Sequence, residues 1–136
     1  MKLPQTGGCQ CGKIRYEITE APRSVYACHC RDCQRLTSSA FSMGSWYRKR
    51  HSGSVGLSRA PSSASRIAAG RAHAGSVPIA AHGFAGPARD GVIRLRAGTL
   101  DDTSWLRPTR HIWVRSKQPW VVFDAGDETF ETAPPA

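Results

Sequence analysis

Residues 28–33 read Cys28-His29-Cys30-Arg31-Asp32-Cys33 and place three thiols in six positions, with C-x-C-x-x-C spacing. A thiolate is a soft, anionic donor, and three on one tight loop can grip a single Zn²⁺ from one side. The ion then has a fourth position. If the protein fills it the site is structural, and if it stays open it can bind a substrate. Two readings follow: the stretch is a reaction centre, or it is part of a four-ligand structural site completed elsewhere in the chain.

The flanks of this stretch decide the fold class. Val25-Tyr26-Ala27 reads as a short strand that delivers the chain to Cys28, Arg31 to Thr37 as a helical turn, and Ala40-Phe41-Ser42-Met43 as strand again. Upstream, Gly7-Gly8-Cys9-Gln10-Cys11-Gly12 is a second thiol pair, where flanking glycines let the backbone turn so that both sulfurs face one ion. Lys13-Ile14-Arg15-Tyr16-Glu17-Ile18 alternates polar and apolar residues as a half-buried strand does, and Ala21-Pro22 breaks it. Downstream, Val92 to Arg96, Ile112-Trp113-Val114 and Pro119 to Asp124 read as strands, Gly98 to Asp102 as a turn, and Thr132 to Ala136 as a loose tail. Short strands, Gly/Pro turns and little helix predict a mainly β protein.

At 136 residues and 40% apolar composition, the chain is expected to form one domain over 1–136. No apolar run approaches the roughly 18 residues of a membrane span, and Met1 to Gly8 has no hydrophobic stretch of the secretory kind. The expected location is the cytoplasm, where thiols stay reduced. All five cysteines lie within the first 33 residues in two close groups, which favours metal over disulfides. The net charge of +9 suggests a polyanion partner, but its distribution argues against nucleic acid. Residues 45–86 hold six Lys/Arg and no Asp or Glu, so two-thirds of the excess comes from under a third of the chain.

That window also reads differently. Of its 42 residues, 28 are Ala, Gly, Ser or Arg, and neither period 2 nor period 3.6 persists. Such composition predicts a segment that is disordered or misfolded as written. A linker of that length inside a small domain argues against its own assignment.

With Gly8-Cys9-Gln10-Cys11-Gly12 and Arg15-Tyr16, then Cys28 to Cys33, then Gly98-Thr99-Leu100-Asp101-Asp102, Pro108, His111-Ile112-Trp113 and Pro119-Trp120, the sequence resembles the glutathione-dependent formaldehyde-activating enzyme family, also called centromere-protein-V-like. The likeness covers 7–44 and roughly 88–131. It implies a compact, zinc-binding antiparallel β-sheet fold like that of methionine sulfoxide reductase B, with two zinc ions. Cys9 and Cys11 would share a structural ion with a later C-x-x-C, while Cys28, Cys30 and Cys33 would hold the working one. The implied activity is that of a carbon–sulfur lyase acting on thiol–aldehyde adducts of the S-hydroxymethylglutathione type, with glutathione and formaldehyde as partners. The alternatives are a non-catalytic zinc-binding module and an inactive, frame-disrupted member. The sequence departs from the family twice: Ser38 stands where glycine is usual, and no C-x-x-C follows Cys33.

A one-base frame displacement over 45–86 accounts for the second departure. Ser76 to Phe84 can be encoded as TCT GTC CCG ATT GCG GCA CAC GGC TTC. Read from a final T of the Gly75 codon, those bases spell Phe-Cys-Pro-Asp-Cys-Gly-Thr-Arg-Leu, which contains the missing pair. The same offset can turn Arg50–Gly56 into Ala-Phe-Arg-Leu-Ser-Gly, Ser65–Gly70 into Ala-Asp-Ser-Gly-Arg, and Ser45–Arg48 into Val-Val-Pro.

The remaining polar candidates have plainer expected roles. His29 is expected to point outward between its neighbours, with metal ligation as the alternative, and His111 to make a structural hydrogen bond, with proton donation near the site as the alternative. Asp101 and Asp102 are expected to cap a turn, and Trp113 and Trp120 to be core residues. His51, His73 and His82 lie in the odd window and receive no role.

Overall fold

Alternating side chains around the thiol stretch assemble into two sheets in the computed structural model, which describes residues 1–8, 15–48 and 92–135, and the backbone alone of 57–58 and 85–89. The elements are β1 (Gln5–Gly8), β2 (Arg15–Ile18), β3 (Ser24–Cys28), α1 (Arg31–Thr37), β4 (Ser42–Arg48), β5 (Leu57–Ser58), β6 (Ala85–Arg89), β7 (Val92–Arg96), β8 (Arg110–Ile112) and β9 (Glu128–Phe130). The smaller sheet has the order β1-β2-β5 and the larger β6-β7-β4-β3-β8-β9.

The fold is mainly β, as expected, but the larger sheet is mixed. β3 pairs antiparallel with β4, and β4 with β7, while β8 runs parallel to both β3 and β9. A parallel neighbour needs a long crossover. The loop from Trp113 to Asp127 supplies it between β8 and β9 and absorbs the strand expected over Pro119–Asp124. Pro119 has no N–H for a ladder, and the Val121 N–H instead closes a turn onto the Gln118 carbonyl at 3.0 Å.

Tyr16 and Ile18 of β2, Tyr47 of β4, Leu95 of β7 and Leu100 form one core cluster joining the two sheets. Burying a side chain of this size stabilises by about 1.5–3 kcal/mol. Gly7 bridges to Leu100 in this region. A Cβ on Gly7 would lie 2.5 Å from the Tyr16 ring and 2.6 Å from the Thr99 carbonyl oxygen, so only glycine fits. Nearby, Asp101 accepts from Thr6 Oγ1 at 2.6 Å and is ion-paired with Arg15, tying β1 and β2 together rather than capping the turn. Asp102 does cap, accepting from the Ser104 N–H and hydroxyl.

The odd composition begins inside a regular strand. Ser45–Arg48, expected to be disordered, complete β4, with Ser45 and Tyr47 buried. Trp and Tyr suit a pleated, half-buried strand. Residues 49–56, 59–84 and 90–91, including His51, His73 and His82, lie outside the described residues. Ser38 ends α1 in the left-handed conformation (φ 51°, ψ 38°), which glycine occupies without strain. The tail is less loose than expected, because the Thr132 carbonyl accepts from the Trp113 N–H at 3.0 Å.

Candidate metal centre

β3 ends on Cys28, and α1 begins three residues later with Cys30 as its N-cap. The Cys33 N–H points at the Cys30 sulfur, 3.4 Å away. A side chain three positions on returns to the same face of a helix, which brings the Cys33 thiol back beside Cys30. The Sγ atoms of Cys28, Cys30 and Cys33 all lie within 4.8 Å of one another, so the group can hold a metal ion. Among the described residues no histidine or carboxylate joins it, and the set has three donors. Cys28 is buried, and the other two are half-buried.

The three thiols differ electrostatically. Burial pushes the Cys28 thiol far above its ordinary range, and its sulfur neighbours add to the rise. Burial also opposes the Cys30 thiolate, but the Cys33 N–H, the Cys33 and Cys28 thiols and the Asp32 N–H outweigh it, so Cys30 sits below its ordinary value. Negative charge therefore settles first at the helix cap.

His29 does not point outward. It is 0% exposed, with its ring packed against Phe41, Phe123 and His111. The continuous burial of Val25 to Cys28 runs on into His29. His29 Nε2 lies 3.1 Å from His111 Nδ1, and His111 Nε2 lies 3.2 Å from Asp127 Oδ2. A carboxylate only accepts, so His111 carries its proton on Nε2, its Nδ1 accepts, and His29 donates from Nε2. Burial, with His111 and Lys117 nearby, lowers the His29 pKa to about 4, so the ring is neutral at pH 7. His111 thus makes the structural hydrogen bond expected of it.

Sequence reasoning missed Gln34. This buried helix residue donates from Nε2 to the His29 carbonyl at 2.6 Å and the Ser116 carbonyl at 2.8 Å. Its Oε1 accepts from Gln118 Nε2 at 2.8 Å. The amide locks the thiol loop to the 116–118 segment. A glutamine facing inward on a short helix, where a hydrophobic residue would be expected, was the available signal.

The thiols sit on the face of the larger sheet occupied by Tyr26, Cys28 and Ile112, with Trp46, Trp113 and Phe130 packed around them. Trp113 is half-buried here, whereas Trp120, expected in the core, is 71% exposed on the crossover loop. Cys9 and Cys11, the other expected metal ligands, lie outside the described residues.

Residues 4–116 match the family described as glutathione-dependent formaldehyde-activating enzyme, and the chain belongs to that family. No curated protein matches the chain. Among the described residues, no helix is long and apolar enough to cross a membrane.

Proposed function

We propose that this family member is a zinc-dependent carbon–sulfur lyase that makes and breaks the bond between a thiol such as glutathione and the carbon of an aldehyde such as formaldehyde. The observation that carries the proposal is the group of three sulfurs within 4.8 Å of one another. Sulfurs about 2.3 Å from a tetrahedral zinc stand about 3.8 Å apart, so the group needs only a small closure. Thiolates favour zinc over the hard cations magnesium and calcium. Cys28, Cys30 and Cys33 would hold the ion, leaving one position for an incoming thiol.

When bound, zinc supplies positive charge that favours the thiolate form of a substrate and polarises an aldehyde oxygen. The chain's own part is placement. β3 and α1 fix the three sulfurs, and His29 with Gln34 anchors the loop from behind. Trp46, Trp113 and Phe130 pack against the buried cluster that includes Cys28. In the forward direction the sulfur–carbon bond forms as the carbonyl π bond opens, and the thiol proton ends on the oxygen. The product is the S-hydroxymethyl adduct, and the reverse reaction releases thiol and aldehyde.

Cys9 and Cys11 enter the proposal as two ligands of a second, structural zinc, within one domain spanning 1–136. The other two ligands of that site are missing from this chain, and residues 76–84 spell the pair that would supply them when read one base out of frame. In support, Ser45, Trp46 and Tyr47, at the start of the displaced window, supply three of the five buried polar side-chain atoms without a hydrogen-bond partner among the described residues. The gene sequence over codons 44–88 tests this, and a stop codon in the displaced frame would end it.

The activity is tested by following formation and breakdown of S-hydroxymethylglutathione by NMR, alongside zinc content. The native chain is expected to accelerate the exchange in proportion to bound zinc. Cys33→Ser should abolish both the acceleration and zinc uptake at this centre. Undiminished acceleration by the metal-free chain would refute the assignment.

A further inference from the structure

The sheet face that presents Cys28 also presents cations. In the register between β3 and β8, Tyr26 pairs with Arg110 and Cys28 with Ile112. Arg110 therefore stands two residues, about 7 Å, along the same face from the first thiol. Its guanidinium lies between two rings, 5.6 Å from the centroid of Trp46 and 5.5 Å from that of Phe130. Its Nε donates to Glu128 Oε2 at 2.6 Å. A second guanidinium, that of Arg115, lies 4.9 Å from the centroid of Trp113. Trp46, Trp113 and Phe130, with Cys30 and Cys33, pack against the buried cluster of Tyr26, Cys28 and Ile112. Each of these three rings thus has a guanidinium over it.

The backbone at Trp113 is part of this arrangement. Trp113 is left-handed (φ 60°, ψ 39°), a conformation that costs a residue with a Cβ about 1–2 kcal/mol. Its N–H bond to Thr132 holds it there. The twist ends β8 and starts the tight turn Val114–Ser116, which carries Arg115. Strain of this kind persists where the surroundings fix it, and it clusters at functional sites.

Charge gives the arrangement a use. Three thiolates around a divalent ion carry one net negative charge, which repels an approaching carboxylate. A thiol that bears carboxylates therefore needs cations beside the centre, whereas an uncharged thiol does not. A guanidinium stacked on a ring is held in place, so the donors that Glu128 does not take from Arg110, and those of Arg115, lose little freedom on binding a carboxylate.

We infer that Arg110 and Arg115 form a carboxylate-recognising rim on the thiol site, and that the site selects thiols carrying carboxylates. The inference rests on the thiol-binding reading of the metal centre. Glutathione, with two carboxylates, fits the rim, and the same thiol with its carboxylates esterified does not.

The experiment measures binding of glutathione and of glutathione diethyl ester to the zinc-loaded full chain by calorimetry. Glutathione is expected to bind about tenfold more tightly than the ester, the scale of one or two charge-assisted hydrogen bonds. Arg115→Gln and Arg110→Gln should each remove most of that preference while leaving ester affinity and zinc content unchanged. Arg115→Lys, which keeps the charge and loses the fork, should retain part of it. Equal affinity for the two thiols in the native chain, or equal losses for both in the variants, would overturn the rim while leaving the thiol site standing. Failure of the native chain to bind either thiol would overturn both.

Discussion

β3 and β4 lie side by side, paired from Ser24 opposite Trp46 to Cys28 opposite Ser42, yet they differ in how well their side chains suit their places. In β3 four successive residues, Val25 to Cys28, are buried, and the strand's single unpartnered polar atom is Ser24 Oγ at its start. In β4 the residues up to Gly44 fit closely, with the Tyr26 ring lying over Gly44. From Ser45 onward the Ser45 hydroxyl, the Trp46 indole N–H and the Tyr47 hydroxyl are all buried without a partner among the described residues. Each such group costs about 1–3 kcal/mol. The backbone ladder uses N–H and C=O groups that every non-proline residue has, so a strand can continue through side chains its neighbours do not satisfy. The change in quality falls between 44 and 45, where the composition also changes.

Substitutions on either side of that point should behave oppositely. The larger effect is expected at Gly44→Ala, whose Cβ would lie 2.7 Å from the Tyr26 hydroxyl and 2.8–2.9 Å from its ring atoms. Tyr26 belongs to the cluster that packs the thiols, so the ring has little room to yield. The cost should be about 1–3 kcal/mol, read as a fall in the urea midpoint. Beyond the boundary, Tyr47→Phe keeps the shape and removes an unpartnered hydroxyl, so it should stabilise by about 1 kcal/mol. A neutral Gly44→Ala or a destabilising Tyr47→Phe would erase the contrast.

Features written locally were legible in the sequence. Alternation pointed to β2 and β7, a short run of strand-forming residues to β3, and spacing alone to the three thiols. Features set by distant partners were not. His29 is buried because His111, 82 residues on, meets its ring, and nothing beside His29 announces that. The parallel sense of β8 and β9 is set by the crossover between them, which neither strand's letters encode. The apolar run Val121-Val122-Phe123 looks like a strand, but it is a crossover that buries Val121 and leaves Val122 86% exposed. Cys9 and Cys11 were read from spacing and glycines, and they lie outside the described residues.

The smallest expected effect lies away from both strands and tests whether the contrast is confined to them. Asp101 joins β1, β2 and the turn after β7 through bonds from Arg15 and Thr6, which hold its carboxyl below the ordinary aspartate range. A depressed folded-state pKa means that the stabilisation is fully present above the unfolded value of about 4. It is lost as pH falls through the lower folded value. The side chain is 46% exposed, so screening limits the contribution to about 0.2–1 kcal/mol. Asp101→Asn should therefore lower the urea midpoint slightly at pH 7, and the difference from the native chain should shrink as pH falls below about 4. A deficit that stays the same size as the pH is lowered would mean that Asp101 acts through its shape and hydrogen-bond geometry rather than its charge. A deficit of several kcal/mol at pH 7 would mean that the joint between the sheets, rather than the fit of β3 and β4, carries most of the stability.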